Sequence, residues 1–464
     1  MRGIRLTITF LTLVSVLIYV VVLSSCSGGS AVGSSGNGGN STSTTTTGSP
    51  RIQHVVIIFQ ENRTPDNLFH GLPNADIANT GVNSSGQMIV MQPTSLVGSY
   101  DLGHKHRDFV YMYDNGKMDG ADQVRCEPVS GSSCPPNPQF LYVNPSEVTP
   151  YFELAEQYTF GDRMFQTQQG PSFPAHQFII SGTSAPTATS NLFAAENPYG
   201  SAGCAASADS WVWMIDAGGN ESTQMYPCFE HQTLTDLLDK AGISWKYYTP
   251  SAGSIWTGPN AIQHICGAVG ANCAGAEWTQ NVVLQNTRIL TDISNGQLPA
   301  VSWVIPSGQA SDHPVFTDGS GPSWVASIVN AIGNSAYWSN TAILITWDDW
   351  GGWYDHVPPP SIVNDGTGWG SGYVYGFRVP LIVVSPYAKA GYVSHLSHDF
   401  GSILKFVEET FSLGSLGYAD SRADDLSDCF DFHQVPLSFH TIAAPVSAAH
   451  FLNAKSVPSD PDDD

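Results

Sequence analysis

The chain has 464 residues, 42% of them hydrophobic, enough to bury a large core as one big domain or two to three ordinary ones. Its 17 Lys and Arg stand against 40 Asp and Glu, a net charge of −23, which argues against a nucleic-acid partner because phosphate backbones need basic patches. An anionic substrate would have to be met by local positive charge, from a metal ion or from some of the 14 His.

Arg2 and Arg5 precede the apolar run "LTITFLTLVSVLIYVVVL", the layout of an export signal. "LSSC" at 23–26 is similar to a bacterial lipobox, so residues 1–26 are expected to be a signal peptide with Cys26 as the lipidated first residue of the mature chain. An uncleaved membrane anchor competes with that reading, since the run is long enough to span a bilayer. Either one places the remainder outside the cytoplasm, in a bacterial cell envelope and tethered to the membrane. Residues 27–50, rich in Gly, Ser and Thr, form an expected flexible linker with no apolar surface to bury. Apart from Cys26, six cysteines fall into local pairs: Cys126/Cys134, Cys204/Cys228 and Cys266/Cys273. In an oxidising compartment these are expected disulfides, although spacing alone does not fix connectivity; Cys429 is left over.

Four β-branched runs follow in chain order: "HVVIIFQ", "LPAVSWVIPSG", "TAILITWDD" and "VPLIVVSPYA". Each predicts a strand buried on both faces. "SWVASIVNAIGN" and "FGSILKFVEETF" carry helical patterns, so strands alternate with helices and the expected fold class is α/β, with a mostly parallel central sheet flanked by helices. The segment from about 185 to 300, rich in Gly, Asn, Trp and Cys, is expected to form a loop-rich cap. The acidic end, "SDPDDD", reads as a solvated tail.

Each strand-like run ends in polar groups: Glu61 and Asn62, Asp348 and Asp349, and Ser385. Ligands of open α/β sheets bind at the carboxyl ends of the strands, so these distant groups are expected to converge. Carboxylates gathered in one place repel unless a cation sits among them, and oxygen-rich clusters suit hard divalent ions. The competing reading is that the two aspartates only cap the next turn. Ser172, followed by Pro174 and a helical run, reads as a helix N-cap. The same position offers free N–H groups and the positive end of a helix dipole to a phosphate. His104 and His106 would diverge on a helix, which favours separate roles, with His104 the better site candidate and His106 secondary. His313 follows a buried strand and a loop. Thr64 reads as a cap, and His356 as structural or catalytic, with Asp355 orienting it. Trp347, Trp350, Trp353 and Tyr354 either pack or wall a pocket able to hold a choline headgroup by cation–π attraction.

At this point longer motifs accumulate: "VVIIFQENRTPDNLFHGLP", "DLGHKHRDFVYMYDNGKMDG", "YTFGDRMFQTQQGPSFPAHQF", "DHP", "TWDDWGGWYDHVPPP", "GFRVPLIVVSPYAKAGYV" and "HDFGSILKFVEETF". With them the chain resembles, over roughly residues 51–435, the bacterial phosphoesterase family that holds phosphatidylcholine-type phospholipases C and a class of secreted acid phosphatases. The resemblance implies an alkaline-phosphatase-like core over 51–464 with one active-site divalent metal ion of unknown identity. It implies Glu61, Asn62, Asp348 and Asp349 as metal ligands, Ser172 as a metal-bound nucleophile, and His104 and His313 flanking the phosphate. Two departures stand out. Ala175-His176 replaces the family's usual Asn-Arg, and "ENRTPD" its usual "ENRSFD". They bear on substrate more than on chemistry.

The expected function is metal-dependent hydrolysis of a phosphoric ester through a phosphoseryl intermediate, with a histidine protonating the leaving oxygen and so favouring acidic pH. Phospholipase C-type cleavage of a phosphodiester, possible on a phospholipid, leads slightly over an acid phosphatase acting on small monoesters. A non-catalytic surface lipoprotein that binds metal or glycan is the remaining alternative.

Overall fold

A computed structural model describes residues 51–216, 218–361 and 374–454. The export-type segment 1–26 with Cys26, the linker 27–50 and the acidic tail lie outside the described residues. Nine strands form the central sheet: β1 (His54–Gln60), β2 (Thr159–Phe165), β3 (Trp245–Tyr248), β4 (Val282–Val283), β5 (Val301–Val304), β6 (Thr341–Trp347), β7 (Arg378–Val384), β8 (Tyr392–Ser394) and β9 (His398–Asp399). Their order is β4-β3-β5-β1-β6-β7-β2-β8, with β9 also beside β2. β1 lies between β5 and β6 and is parallel to both. β7 alone runs against its neighbours, β6 and β2. Val55 to Phe59 and Ala342 to Ile345 are fully buried, so both faces of the sheet are covered there, which is why these strands read as unbroken apolar runs.

Five helices matter below: α1 (His106–Tyr113), α2 (Ser172–Ser181), α3 (Leu234–Ala241), α4 (Gly321–Gly333) and α5 (Phe400–Thr410). α5 starts on a reciprocal cap. Asp399 accepts the Ser402 N–H at 3.2 Å while Ser402 Oγ accepts the Asp399 N–H at 3.1 Å. Among the described residues, no helix is long and apolar enough to cross a membrane.

Two expectations change. Ser385 follows β7, the antiparallel strand, so it emerges at the sheet edge opposite to Glu61 and Asp348 and does not join them. The described part of the chain between β6 and β7 holds no crossover helix, in keeping with an antiparallel return. The segment 185–300 divides. Phe193–Ala194, Val212–Ile215 and Glu221–Met225 make a separate three-stranded sheet, whereas β3 and β4 extend the central one. The disulfides are Cys126–Cys134, Cys204–Cys228 and Cys266–Cys273, with Cys429 free and buried.

Asp355 and His356 belong to a buried charge network that ties β7 to the loops around β1 and β2. Arg378 Nε donates to both Asp355 oxygens at 2.9 and 3.1 Å, and Nη2 lies 3.4 Å from Asp66 Oδ1. Its Nη1 donates to the carbonyl oxygens of Asp76 and Asp162, each at 2.8 Å. His356 sits between Asp66 and Asp76, at 2.8 and 3.1 Å. Burial opposes a charge on His356, but the Asp66 contact outweighs it and raises the imidazole to about 9. Replacing Arg378 by Met leaves Asp355 buried without its counter-charge. It is expected to cost about 3–5 kcal/mol, read as a lower midpoint of urea unfolding; a wild-type midpoint would contradict this account.

Candidate active site

Register brings the acids together. Gln60 of β1 pairs with Trp347 of β6, so the next residues, Glu61 and Asp348, leave the sheet side by side. The Asp348 N–H donates to the Gln60 carbonyl at 3.0 Å, and the Asn62 N–H donates to Asp348 Oδ1 at 3.1 Å. Asn62 turns the chain in the left-handed region, at φ 63°, which Asn tolerates better than most residues. Its side-chain amide reaches His104 Nε2 at 3.1 Å, and His104 Nδ1 donates to the Leu102 carbonyl at 2.8 Å. That pattern keeps the amide nitrogen on the histidine and turns Asn62 Oδ1 the other way.

β2 is parallel to the strands around β1, so α2, which follows it, starts near the same edge. Pro171 holds the cap position and Ser172 is the first helical residue, one place inside the expected cap. Ser172 Oγ lies 3.3 Å from Asp349 Oδ2, while Asp349 Oδ1 accepts the Gly351 N–H at 2.7 Å. The Phe173 N–H is not left open to a ligand: it donates to Asn197 Oδ1 at 2.9 Å. One turn along α2, His176 Nε2 comes 3.4 Å from Glu61 Oε1 and 3.9 Å from Asp348 Oδ2. Glu61, Asn62, Ser172, His176, Asp348 and Asp349 are all fully buried. Burial pushes the His176 imidazole down to about 4 against the pull of Asp348, so the ring is neutral. Among the described residues, Asn62 Oδ1, Asp348 Oδ2 and both His176 ring nitrogens are buried without a hydrogen bond.

Leaving such atoms unpaired costs about 1–3 kcal/mol each, and converging oxygen donors with one imidazole form a chemically coherent ligand set. One atom each from Glu61, His176 and Asp348 lies within 4.8 Å of the others. A cation bound at about 2.0–2.2 Å holds its ligands roughly 3–4 Å apart, so the residues present fit a divalent ion. A second buried acid group, Asp66 with Asp355 and His356, already holds Arg378, and a third, Asp236 with His264 and Glu277, is only half-buried.

His313 is buried, with its ring 6.1 Å from that of His104; its Nδ1 lies 2.7 Å from the Pro314 carbonyl and 4.0 Å from Asp101 Oδ2. His106 is held aside by Glu221, at 2.6 Å. Thr64 caps the next short helix, accepting the Asn67 N–H at 3.1 Å. The aromatic group around the acids is packing rather than a pocket wall. Trp347 and Trp350 are fully buried, Trp353 and Tyr354 nearly so, and Trp347 Nε1 donates to Asp312 at 2.9 Å. The exposed ring of Tyr199 and the half-buried rings of Trp211 and Trp213 instead line a cleft of about 560 Å³ beside α2, with Asn197, Glu196, Glu221, Lys105 and Arg107.

His176 and Asn197 were not singled out as site residues. The four-residue spacing of Ser172 and His176 puts both on one face of α2 and is the signal that locates the histidine. Asn197 carries no such mark, since it reaches α2 from the separate three-stranded region.

A buried hydroxyl at a helix start, beside carboxylate oxygens and an imidazole gathered at the carboxyl edge of a mostly parallel sheet, gives an α/β protein with a compact polar cluster at that edge. The chain belongs to the Phosphoesterase family, whose model matches residues 52–414. The non-hemolytic phospholipase C of Pseudomonas aeruginosa is 25% identical over 434 residues, 82% of this chain and 57% of its own. The non-hemolytic phospholipase C of Burkholderia pseudomallei is 24% identical, over 78% of this chain and 55% of its own. Phospholipase C B of Mycobacterium tuberculosis is 24% identical, over 83% and 78%. The chain thus spans little more than half the length of the first two relatives. Among solved structures, a protein of the alkaline phosphatase superfamily from Vibrio parahaemolyticus matches 82% of this chain and 72% of its own, at 10% identity and a TM-score of 0.34.

Two predictions follow from the packing at the site. A Cβ on Gly351, itself at φ 60°, would sit 2.5 Å from the Asn62 carbonyl oxygen. Gly351→Ala is therefore expected to lose about 1–3 kcal/mol in denaturant unfolding, whereas an unshifted midpoint would mean the two strand ends are not so tightly apposed. Glu196, whose Oε1 accepts the His106 N–H at 3.1 Å, is pushed up to about 8, chiefly by burial and then by Glu221. Between the ordinary carboxyl range and pH 8 the folded acid keeps its proton while the unfolded chain ionises, so stability falls as pH rises through that window. Glu196→Gln should remove this slope, and its gain in Tm over the wild type should grow from pH 5 to pH 8; an equal gain at both would count against the shift.

Proposed function

We propose that the chain hydrolyses phosphoric esters, with phospholipase C-type cleavage of a phosphodiester the favoured reaction. The observation that carries the reading is Ser172 Oγ at 3.3 Å from Asp349 Oδ2, next to the unpartnered Asn62 Oδ1 and Asp348 Oδ2. In this reading Glu61, Asn62, Ser172, Asp348 and Asp349 hold one divalent cation. When bound, the cation lowers the pKa of the serine hydroxyl and neutralises phosphoryl oxygens.

Asp349 accepts the Ser172 proton and holds Oγ in line with phosphorus. The Ser172 Oγ–P bond forms as the bond to the leaving oxygen breaks, and His313, protonated, gives that oxygen its proton. His104 keeps Asn62 oriented and flanks the phosphoryl group. Water then attacks the phosphoserine and gives its proton to His313, the Ser172 Oγ–P bond breaks, and Asp349 returns the proton it took to Ser172 Oγ. The groups around Ser172 Oγ are buried and aimed by hydrogen bonds, which strengthens each electrostatic contact with the developing charge.

Three named relatives are phospholipases C, which supports a phospholipid substrate. The cleft beside α2 adds to this, since the rings of Tyr199, Trp211 and Trp213 suit the cationic end of a headgroup and Lys105 and Arg107 suit its phosphate. Three disulfides fit an oxidising compartment, and a lipid at Cys26 would keep the enzyme at a membrane surface.

Purified protein assayed on phosphatidylcholine and on an aryl monophosphate is expected to prefer the lipid, releasing phosphocholine; preference for the aryl ester would convert the reading to a phosphomonoesterase. Ser172→Ala should lose at least about 10³-fold in turnover, and a chelator should stop turnover until a divalent ion is returned. Unchanged turnover in the alanine variant would overturn the nucleophile assignment.

A further inference from the structure

We infer that His176 is a direct nitrogen ligand of the cation, which makes the site select a first-row transition ion such as Zn²⁺ over Mg²⁺ or Ca²⁺. The inference rests on the cation site proposed above and goes beyond it, because that ligand set is oxygen throughout and would leave the choice of ion open.

The geometry sets His176 apart from a histidine that merely packs. It is fully buried, four residues and so about one turn from Ser172, on the helix that starts at the site. Its Nε2 faces two carboxylate oxygens at once, Glu61 Oε1 at 3.4 Å and Asp348 Oδ2 at 3.9 Å. Neither distance is that of a strong hydrogen bond, and among the described residues neither ring nitrogen makes one. A buried imidazole normally finds a donor or acceptor on at least one nitrogen. Here the missing partner is a position, not a residue: a point reached by Nε2 and both oxygens together. Separations of 3.4 and 3.9 Å match two ligands sharing one ion and are longer than a strong hydrogen bond.

The chemistry then decides which ions fit. Ca²⁺ takes six to eight oxygens, and Mg²⁺ keeps several waters and is bound through carboxylates, so neither gains from an imidazole. Imidazole suits Zn²⁺, Fe²⁺, Ni²⁺ and Cu²⁺, and affinity along the first row rises toward copper. Neutral imidazole is the ligating form.

The test uses the full chain, stripped with a chelator and then titrated with Zn²⁺ and with Mg²⁺, and separately loaded with Co²⁺ for its visible absorption. The wild type, His176→Ala, His176→Gln and Asp348→Asn are compared, and circular dichroism and thermal unfolding of the stripped proteins report folding. The glutamine variant keeps the size and a hydrogen-bonding group, so it serves if the alanine variant does not fold. The expected result is a loss of Zn²⁺ affinity of at least about 10–100-fold in the His176 variants, since altering a mere supporting residue already costs that much. Mg²⁺ affinity should stay near the wild-type value, and the Co²⁺ bands should shift as a nitrogen donor is lost. Wild-type Zn²⁺ affinity together with an unshifted Co²⁺ spectrum in a folded His176 variant overturns the inference while leaving the cation site intact. If the wild type itself binds no divalent ion, or Asp348→Asn binds as well as the wild type, the proposed cation site fails and the inference falls with it.

Discussion

The parallel pairing of β1 with β6 is the constraint on which the site depends. It matches Gln60 with Trp347 across seven consecutive pairs, all in the buried middle of the sheet. A slip of one residue would turn every side chain of a strand to the other face. With both faces covered by apolar packing such a slip would not expose charge, so the register must be held at the ends. The Asp348 N–H on the Gln60 carbonyl and the Asn62 N–H on Asp348 Oδ1 provide that hold. The same two bonds that close the ladder also aim the acids, so folding and site assembly are one event here.

Two buried acid groups sit on these loops, and their difference is instructive. Asp66 and Asp355 meet Arg378, whose guanidinium uses all three nitrogens on carboxylates and carbonyls. Glu61 and Asp348 meet a neutral imidazole. Removing a charge from water is costly and is tolerated when a counter-charge and hydrogen bonds replace the solvent. The first group satisfies that condition from within the chain and fixes loops in place. The second has Asp348 Oδ2 and Asn62 Oδ1 uncommitted, which is the condition of a site and not of a strut.

Much of this was legible in the residues. Unbroken Val and Ile runs announced β1, β5, β6 and β7, because burial on both faces removes the need for alternation. Glu61 and Asp348 were readable as neighbours because each ends such a run. β2 was not, since "TFGDRMF" carries Gly161, Asp162 and Arg163, residues that disfavour a strand on propensity. Tertiary partners override that preference: the carbonyl of Asp162 accepts from Arg378, and its carboxylate accepts the Asp76 N–H. The reversed direction of β7 left no trace either, because direction is set by the connection and not by the strand. Trp350 and Trp353 left two readings open, packing or a headgroup box, and Trp350 packs on the rings of His104, Phe109 and Phe377. Aromatic composition alone does not tell a wall from a core.

The backbone on both sides of the acids is held in unusual conformations, and that is the last step in seeing why the ligand atoms stay open. Asn62 at φ 63° and Gly351 at φ 60° lie in the left-handed region, and a Cβ on Gly351 would collide with Asn62. Each turn is viable because the other is there, and neither is a cheap conformation for the chain. Asn62 then commits its N–H to Asp348 and its side-chain nitrogen to His104. Asp349 commits one oxygen to the Gly351 N–H and the other to Ser172. Every group that fixes orientation is used once, and what remains over is a set of acceptors on a rigid frame. A frame that spends its hydrogen bonds on aiming, and leaves lone pairs converging, is organised in advance for a positive charge placed between them.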